Sequence, residues 1–109
     1  GATIVRTENG LTLRSRAAGF VAGERVWVGV RPERMSLDGA GENRVAGVLE
    51  DRLFLGDRSE WRVRAGADLL TVSEPGTSTG RQTGDAVTVT FEASALLRLV
   101  EPAHRPPRP

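Results

Sequence analysis

Residues 86–92 read Ala-Val-Thr-Val-Thr-Phe-Glu, with Val87, Val89 and Phe91 alternating with Thr88, Thr90 and Glu92. A period of two sends successive side chains to opposite faces, so the run is a strand with one apolar and one polar face. That is the pattern of an antiparallel sheet burying one side. Upstream, Trp61, Val63 and Ala65 alternate with Arg62 and Arg64, and Val26, Val28 and Val30 share the face opposite Trp27 and Arg31. Turn residues separate these runs: Asn9-Gly10, Gly23-Glu24, Gly56-Asp57, Gly66, Pro75-Gly76 and Gly84-Asp85. Asn-Gly between two apolar runs is a strong hairpin signal, because both central residues of a type I′ turn need positive φ. Eight strands are expected, at about 3–7, 10–15, 25–31, 44–55, 59–65, 68–73, 86–92 and 96–100. Short strands at this spacing predict an all-β barrel or sandwich with little or no helix. One turn around Pro32–Met35 is the only helical candidate, since proline suits a first helical position.

Composition narrows the chemistry. The 109 residues make one ordinary domain or two very small ones, with 39% apolar residues to build a core. Cysteine is absent, which excludes disulfides, thiol catalysis and cysteine zinc sites. Lysine is absent too, so all 15 basic residues are arginine, and neither a Schiff base nor a phosphate-cradling lysine is available. The one histidine, His104, sits in a proline-rich tail, where it is poorly held for catalysis or metal binding. The net charge is +1, a weak draw for nucleic acid. No apolar run approaches the ~18 residues of a membrane span, and no secretory signal is visible. The reading is a soluble, catalytically poor domain that acts by binding or as part of a larger protein.

The strand–turn–strand openings of residues 2–14 and 46–73 echo each other, as do Gly23-Glu24-Arg25-Val26 and Gly84-Asp85-Ala86-Val87. The expected organisation is therefore two small antiparallel units. Residues 1–36 form the first, 37–43 a small, polar and irregular linker, and 44–101 the second. A tail at 102–109, rich in proline and arginine, is expected to be disordered or polyproline II.

Four places stand out as candidate sites. In Gly29-Val30-Arg31-Pro32-Glu33-Arg34 a proline ends a strand, and Arg31 and Glu33 are expected to satisfy backbone groups or each other. Contact with another subunit or domain is the alternative reading. Leu53-Phe54-Leu55-Gly56-Asp57 is the most apolar point of the chain and reads as core packing, with an exposed interface strip as the alternative. Trp27 and Trp61, each flanked by arginines, could stack single-stranded bases, although Trp61 shares a face with Val63 and reads as core. The loop Thr77–Asp85 could present backbone N–H groups to an oxyanion but reads first as a solvated loop.

The order Gly29-Val30-Arg31-Pro32-Glu33, Asn43 to Val48, Phe54-Leu55-Gly56, Val63, Gly66, Leu69–Val72 and Gly84-Asp85-Ala86-Val87 resembles the transport-associated OB (TOBE) domain, over about residues 1–100. That domain is the C-terminal regulatory region of ATP-binding subunits of bacterial ABC importers. The Phe-Leu-Gly step and the aromatic-x-Val strand are closest to the spermidine/putrescine and ferric-iron group. Trp61 departs from the family's usual tyrosine, and Phe91–Leu99 lacks its common terminal pattern. The resemblance implies two OB-like β units, a start about one strand late, and an ATPase core preceding Gly1. It implies a domain that is not itself an enzyme and that holds no cofactor, with ATP and magnesium belonging to the parent. The partners implied are the upstream ATPase domain, a second ATPase subunit and, indirectly, the membrane permease, at the cytoplasmic face of the cell membrane. Arg31, Pro32, Glu33, Phe54, Leu55, Gly56, Gly84 and Asp85 match family positions, as structural or interface residues. The expected function is regulation and dimerisation of an importer's ATPase subunit for a polyamine, iron or related small solute. An OB-type oligonucleotide-binding module and a small-oxyanion sensor are the alternatives.

Overall fold

The computed structural model describes residues 2–76 and 80–99. Their order is β1 (Thr3–Arg6), β2 (Thr12–Ser15), β3 (Trp27–Gly29), a single 3-10 turn at Pro32–Arg34, β4 (Ser36–Leu37), β5 (Asn43–Phe54), β6 (Arg58–Ala65), β7 (Asp68–Pro75), β8 (Ala86–Phe91), a second 3-10 turn at Ala93–Ala95, and β9 (Leu97–Leu99). The protein is nearly all β, built of small antiparallel sheets. Each expected strand overlaps an observed one, with β5, β6 and β7 reaching one or two residues past the expected ends, and the Pro32 turn forms where proline favours it. Residues 100–109, with His104, and residues 77–79 lie outside the described residues.

The central sheet has five strands in the order β4–β8–β5–β6–β7. β5 is its spine. Asn43 to Val48 pair with β8 on one edge, and Val48 to Phe54 pair with β6 on the other. The β5–β6 register slips between Leu49 and Asp51, a bulge that bends the strand as it changes partners. Gly47 sits at this changeover because the backbones crowd there: a Cβ on it would lie 2.6 Å from Val63 Cγ1 and 2.9 Å from the Arg64 carbonyl oxygen. The hairpins β5–β6 and β6–β7 close with two-residue loops led by Gly56 (φ 79°) and Gly66 (φ 62°), the glycine-first geometry of a II′ turn.

The curl brings the edge strands β4 and β7 into contact, and Arg81 spans the seam. Its guanidinium donates to Glu74 Oε2 on β7 (3.1 Å), to Asp38 Oδ2 just past β4 (2.9 Å) and to the Leu37 carbonyl (3.3 Å). Inside lies the core: Val45, Leu49, Trp61, Val63, Ala65, Val72, Val87, Val89 and Phe91 are all buried. These are the apolar faces that period-two alternation marks. Val28 and Val30 pack against the same cluster from outside the sheet.

Two ribbons, β1–β2 and β3–β9, complete the architecture. Pairing runs across the stretch 37–43, since β3 pairs with β9 and β4 with β8. The stretch itself was expected to be irregular, yet Leu37 is buried in β4 and Asn43 is the buried first residue of β5. A two-residue strand carries no readable period, so β4 left no mark in the sequence.

The β1–β2 hairpin has the expected ends but a different turn. Gly10 alone has positive φ (91°), Thr7 N–H donates to the Leu11 carbonyl (2.9 Å), and the loop is three residues with glycine last. Asn43 ties this hairpin to the main sheet. Its Oδ1 accepts from Arg14 N–H (2.7 Å) and its Nδ2 donates to the Arg14 carbonyl (2.9 Å), so a buried side-chain amide takes the place of a neighbouring strand. Beside it, Arg16 clasps Glu42 with both guanidinium nitrogens, at 2.5 and 2.6 Å.

Candidate functional site

The structure places the eight family-motif residues in three separate locations. Arg31, Pro32 and Glu33 lie at the first 3-10 turn, where Arg31 caps the turn with extended backbone and its carbonyl accepts from Arg34 N–H (2.9 Å). The expected pairing of Arg31 with Glu33 does not form. Both side chains are exposed, and among the described residues neither has a hydrogen bond or ion pair. The reason is geometric. Pro32 turns the chain into a 3-10 arrangement, in which residues three apart eclipse, so Arg31 lines up with Arg34 rather than Glu33. Arg31, Glu33 and Arg34 form one wall of an open cleft of about 300 Å³, and Ser94, Ala95 and Leu97 form the other. Arg34 Nη2 reaches Ser94 Oγ across it at 3.4 Å.

Phe54, Leu55 and Gly56 lie at the tip of the β5–β6 hairpin. The core-packing expectation for Leu53–Leu55 is overturned, since Leu53, Phe54 and Leu55 are 57%, 56% and 39% exposed. β5 is the longest strand of the curled sheet, and its last residues run beyond the core. Phe54 is nonetheless held. The Arg52 guanidinium lies 4.2 Å from its ring centroid and 4.8 Å from that of Trp61, and Ser59 Oγ accepts from Arg52 Nε and Nη2 at 3.3 and 3.2 Å. Arg52 thus forms a cation–π bridge between a core tryptophan and an exposed phenylalanine.

Gly84 and Asp85 serve the backbone. Gly84 N–H donates to the Leu49 carbonyl (2.7 Å) and Leu49 N–H donates to the Asp85 carbonyl (2.9 Å), extending the β5–β8 ladder up to the bulge. Gly84 has φ 93°, which a side chain would strain, and Asp85 Oδ2 accepts from Gln82 N–H (3.0 Å).

The tryptophans divide as their alternation predicts. Trp61 is buried and presents no face for a base to stack on, while Trp27 is 44% exposed. Trp27 faces Leu99 across the β3–β9 ribbon, and Gly29 faces Leu97. Leu97 and Leu99 are exposed, so an apolar strip runs along this ribbon into the cleft. Sequence reasoning missed Ser94, Ala95 and Leu97 as partners of the Arg-Pro-Glu turn. They lie 60 or so positions away, and no local pattern signals that a strand pairing brings them back. It also missed Arg52, whose place one residue before the apolar triplet is visible only once the register is known.

Arg81, in the loop considered for an oxyanion, is committed to Glu74 and Asp38. The Asp38 carboxyl is held below its usual range by the Thr88 backbone N–H and by Arg81. Glu42 is pushed down to about 2, first by its hydrogen bonds from Arg16, then by the Ala93 N–H. Among the described residues no helix is long and apolar enough to cross a membrane.

No curated protein matches the chain. The family model for the TOBE domain matches residues 28–99, from within β3 to the last residue of β9. That span takes in the Arg-Pro-Glu turn, the hairpin tip, the Gly84-Asp85 docking and the whole curled sheet, and the chain belongs to the TOBE domain family.

Proposed function

We propose that this chain is the accessory domain of an ABC importer's ATPase subunit, where it supports subunit association and regulation of ATP-driven uptake of a polyamine, iron or related small solute. The observation that carries the reading is the TOBE match across 28–99, because TOBE domains are associated with ABC transporter ATPase subunits. The geometry supports a contact role rather than chemistry. The motif residues either hold backbone, as Gly84 and Asp85 do, or stand on exposed patches, as Arg31, Glu33, Phe54 and Leu55 do. In this reading ATP and magnesium bind the parent's ATPase core, and the complex works at the cytoplasmic face of the membrane.

The test is nucleotide binding and hydrolysis by the purified 109-residue chain beside the complete subunit that contains it. The expected result is no ATP binding by the chain and a magnesium-dependent ATPase in the subunit. A native protein lacking an ATP-binding core would overturn the reading, and so would ATP hydrolysis by the chain that survives Arg31→Ala and repeated purification.

A further inference from the structure

We propose that Asn9 is a self-modification site: its side-chain amide is displaced by the backbone nitrogen of Gly10, and the carboxylate left behind releases the β1–β2 hairpin from β7. The inference is independent of the function proposed above.

The chain has two asparagines, and of these Asn9 alone is followed by glycine. Asn9 and Gly10 close the three-residue loop between β1 and β2, and both are exposed. A side chain on the following residue would shield the attacking nitrogen. Gly10 has none, and the space a Cβ would take is empty to 4 Å. Asn43 is the contrast. It is buried, is followed by Arg44, and has both ends of its amide bonded to the Arg14 backbone.

The step balances with water alone. The Gly10 nitrogen bonds to Asn9 Cγ, the Cγ–Nδ2 bond breaks, and Nδ2 leaves as ammonia with the proton of the Gly10 amide. The product is a cyclic succinimide. Water opens it at Cγ to give aspartate, or at the Asn9 main-chain carbonyl carbon to give isoaspartate, whose backbone runs through Cβ and Cγ. Water is consumed, ammonia is released and a negative charge is gained. The Gly10 N–H donates to the Thr7 carbonyl at 3.1 Å, so the step proceeds when this turn hydrogen bond opens, as bonds at an exposed loop tip do.

The consequence follows from what the amide holds. Asn9 Nδ2 donates to Asp68 Oδ1 at 2.8 Å, linking the loop to the first residue of β7. Asp68 Oδ2 is buried and has no hydrogen-bond partner among the described residues. Conversion puts a carboxylate where Asp68 now meets a donor, so an attraction becomes a like-charge repulsion. Isoaspartate also lengthens the backbone of a loop closed by the Thr7–Leu11 and Thr7–Gly10 hydrogen bonds. The hairpin gives Leu13 to the core and packs Val5 and Leu11 against it, so its release uncovers apolar surface.

The experiment incubates the full 109-residue chain for weeks at mildly alkaline pH and follows it by tryptic mass mapping. Cleavage after arginine isolates Asn9 in residues 7–14 and Asn43 in residues 35–44. The 7–14 peptide is expected to gain one mass unit and to divide into aspartate and isoaspartate forms, while 35–44 keeps its mass. Asn9→Gln should suppress the gain, because the larger ring closes far more slowly. Asn9→Asp, which is one of the products, tests the release. Its amide hydrogen exchange across residues 3–15 should quicken about tenfold while that of β5 and β8 is unchanged. Adding Asp68→Asn restores a donor opposite the new carboxylate and should return most of the protection. A 7–14 peptide of constant mass overturns the proposal, as does a gain that persists in Asn9→Gln. Hairpin exchange in Asn9→Asp that matches the wild type, quickens alike in every strand, or is not repaired by Asp68→Asn overturns it equally.

Discussion

At Asn43 one side chain does the work of a strand edge. Its amide offers an acceptor and a donor to the N–H and carbonyl of Arg14, and Asn43 itself is buried. Asn43→Ala would leave both backbone groups without partners, at a cost of about 1–3 kcal/mol. Asn43→Asp keeps the acceptor, loses the donor and buries a charge, so it should be no milder. Denaturant unfolding of the two variants checks this, and a midpoint unchanged in both would remove Asn43 from its tying role. Glu42, one residue earlier, ties the same elements through Arg16 and the Ala93 N–H. Its carboxyl titrates at about 2 in the folded chain against 4.5 ordinarily. A depressed carboxylate stabilises the fold above its unfolded value and loses that contribution as pH falls. The pH-dependent part of stability due to Glu42 is therefore complete above about 4.5 and disappears by about 2. In Glu42→Gln the loss of melting temperature between these pH values should be shallower than in the wild type, and equal slopes would contradict the assignment.

At the scale of elements, the strands were legible wherever alternation ran long enough. β6 and β8 carry three inward apolar residues each, and every one of them is buried. The chain's most apolar triplet was misleading, because Leu53–Leu55 are apolar without alternating, and whether such a run is core depends on where its strand leaves the curled sheet. The register shift at the bulge decides that, and a bulge leaves no period to read. β4 and the Ala93–Ala95 turn are too short to show a pattern, yet β4 forms an edge of the sheet and the turn supplies Ser94 and Ala95 to the cleft. The Arg-Pro-Glu turn was located by its proline, but its side-chain roles were not legible, since they follow from the eclipsed 3-10 geometry and a distant strand. With Glu33 exposed and unpaired among the described residues, Glu33→Ala should move the melting point little, within the ±0.5 kcal/mol typical of surface substitutions. A loss of about 1–3 kcal/mol in thermal melts would return the residue to a structural role.

For the whole molecule, a curled sheet closes over a filled core, and two clefts open at its surface, between turns and strand ends. Its exposed faces include an apolar tip, an apolar ribbon and a cleft lined by Arg31, Glu33 and Arg34. In the proposed function these surfaces would serve contact with other subunits of the importer. The most direct measurement is the solute-dependent ATP hydrolysis of the complete importer in membranes, with and without residues 28–99, the span of the TOBE match. The account predicts that the shortened subunit keeps an ATPase core able to hydrolyse ATP but loses subunit association or the response of hydrolysis to transported solute. An importer whose assembly, basal rate and solute response are all unchanged by the removal would contradict it.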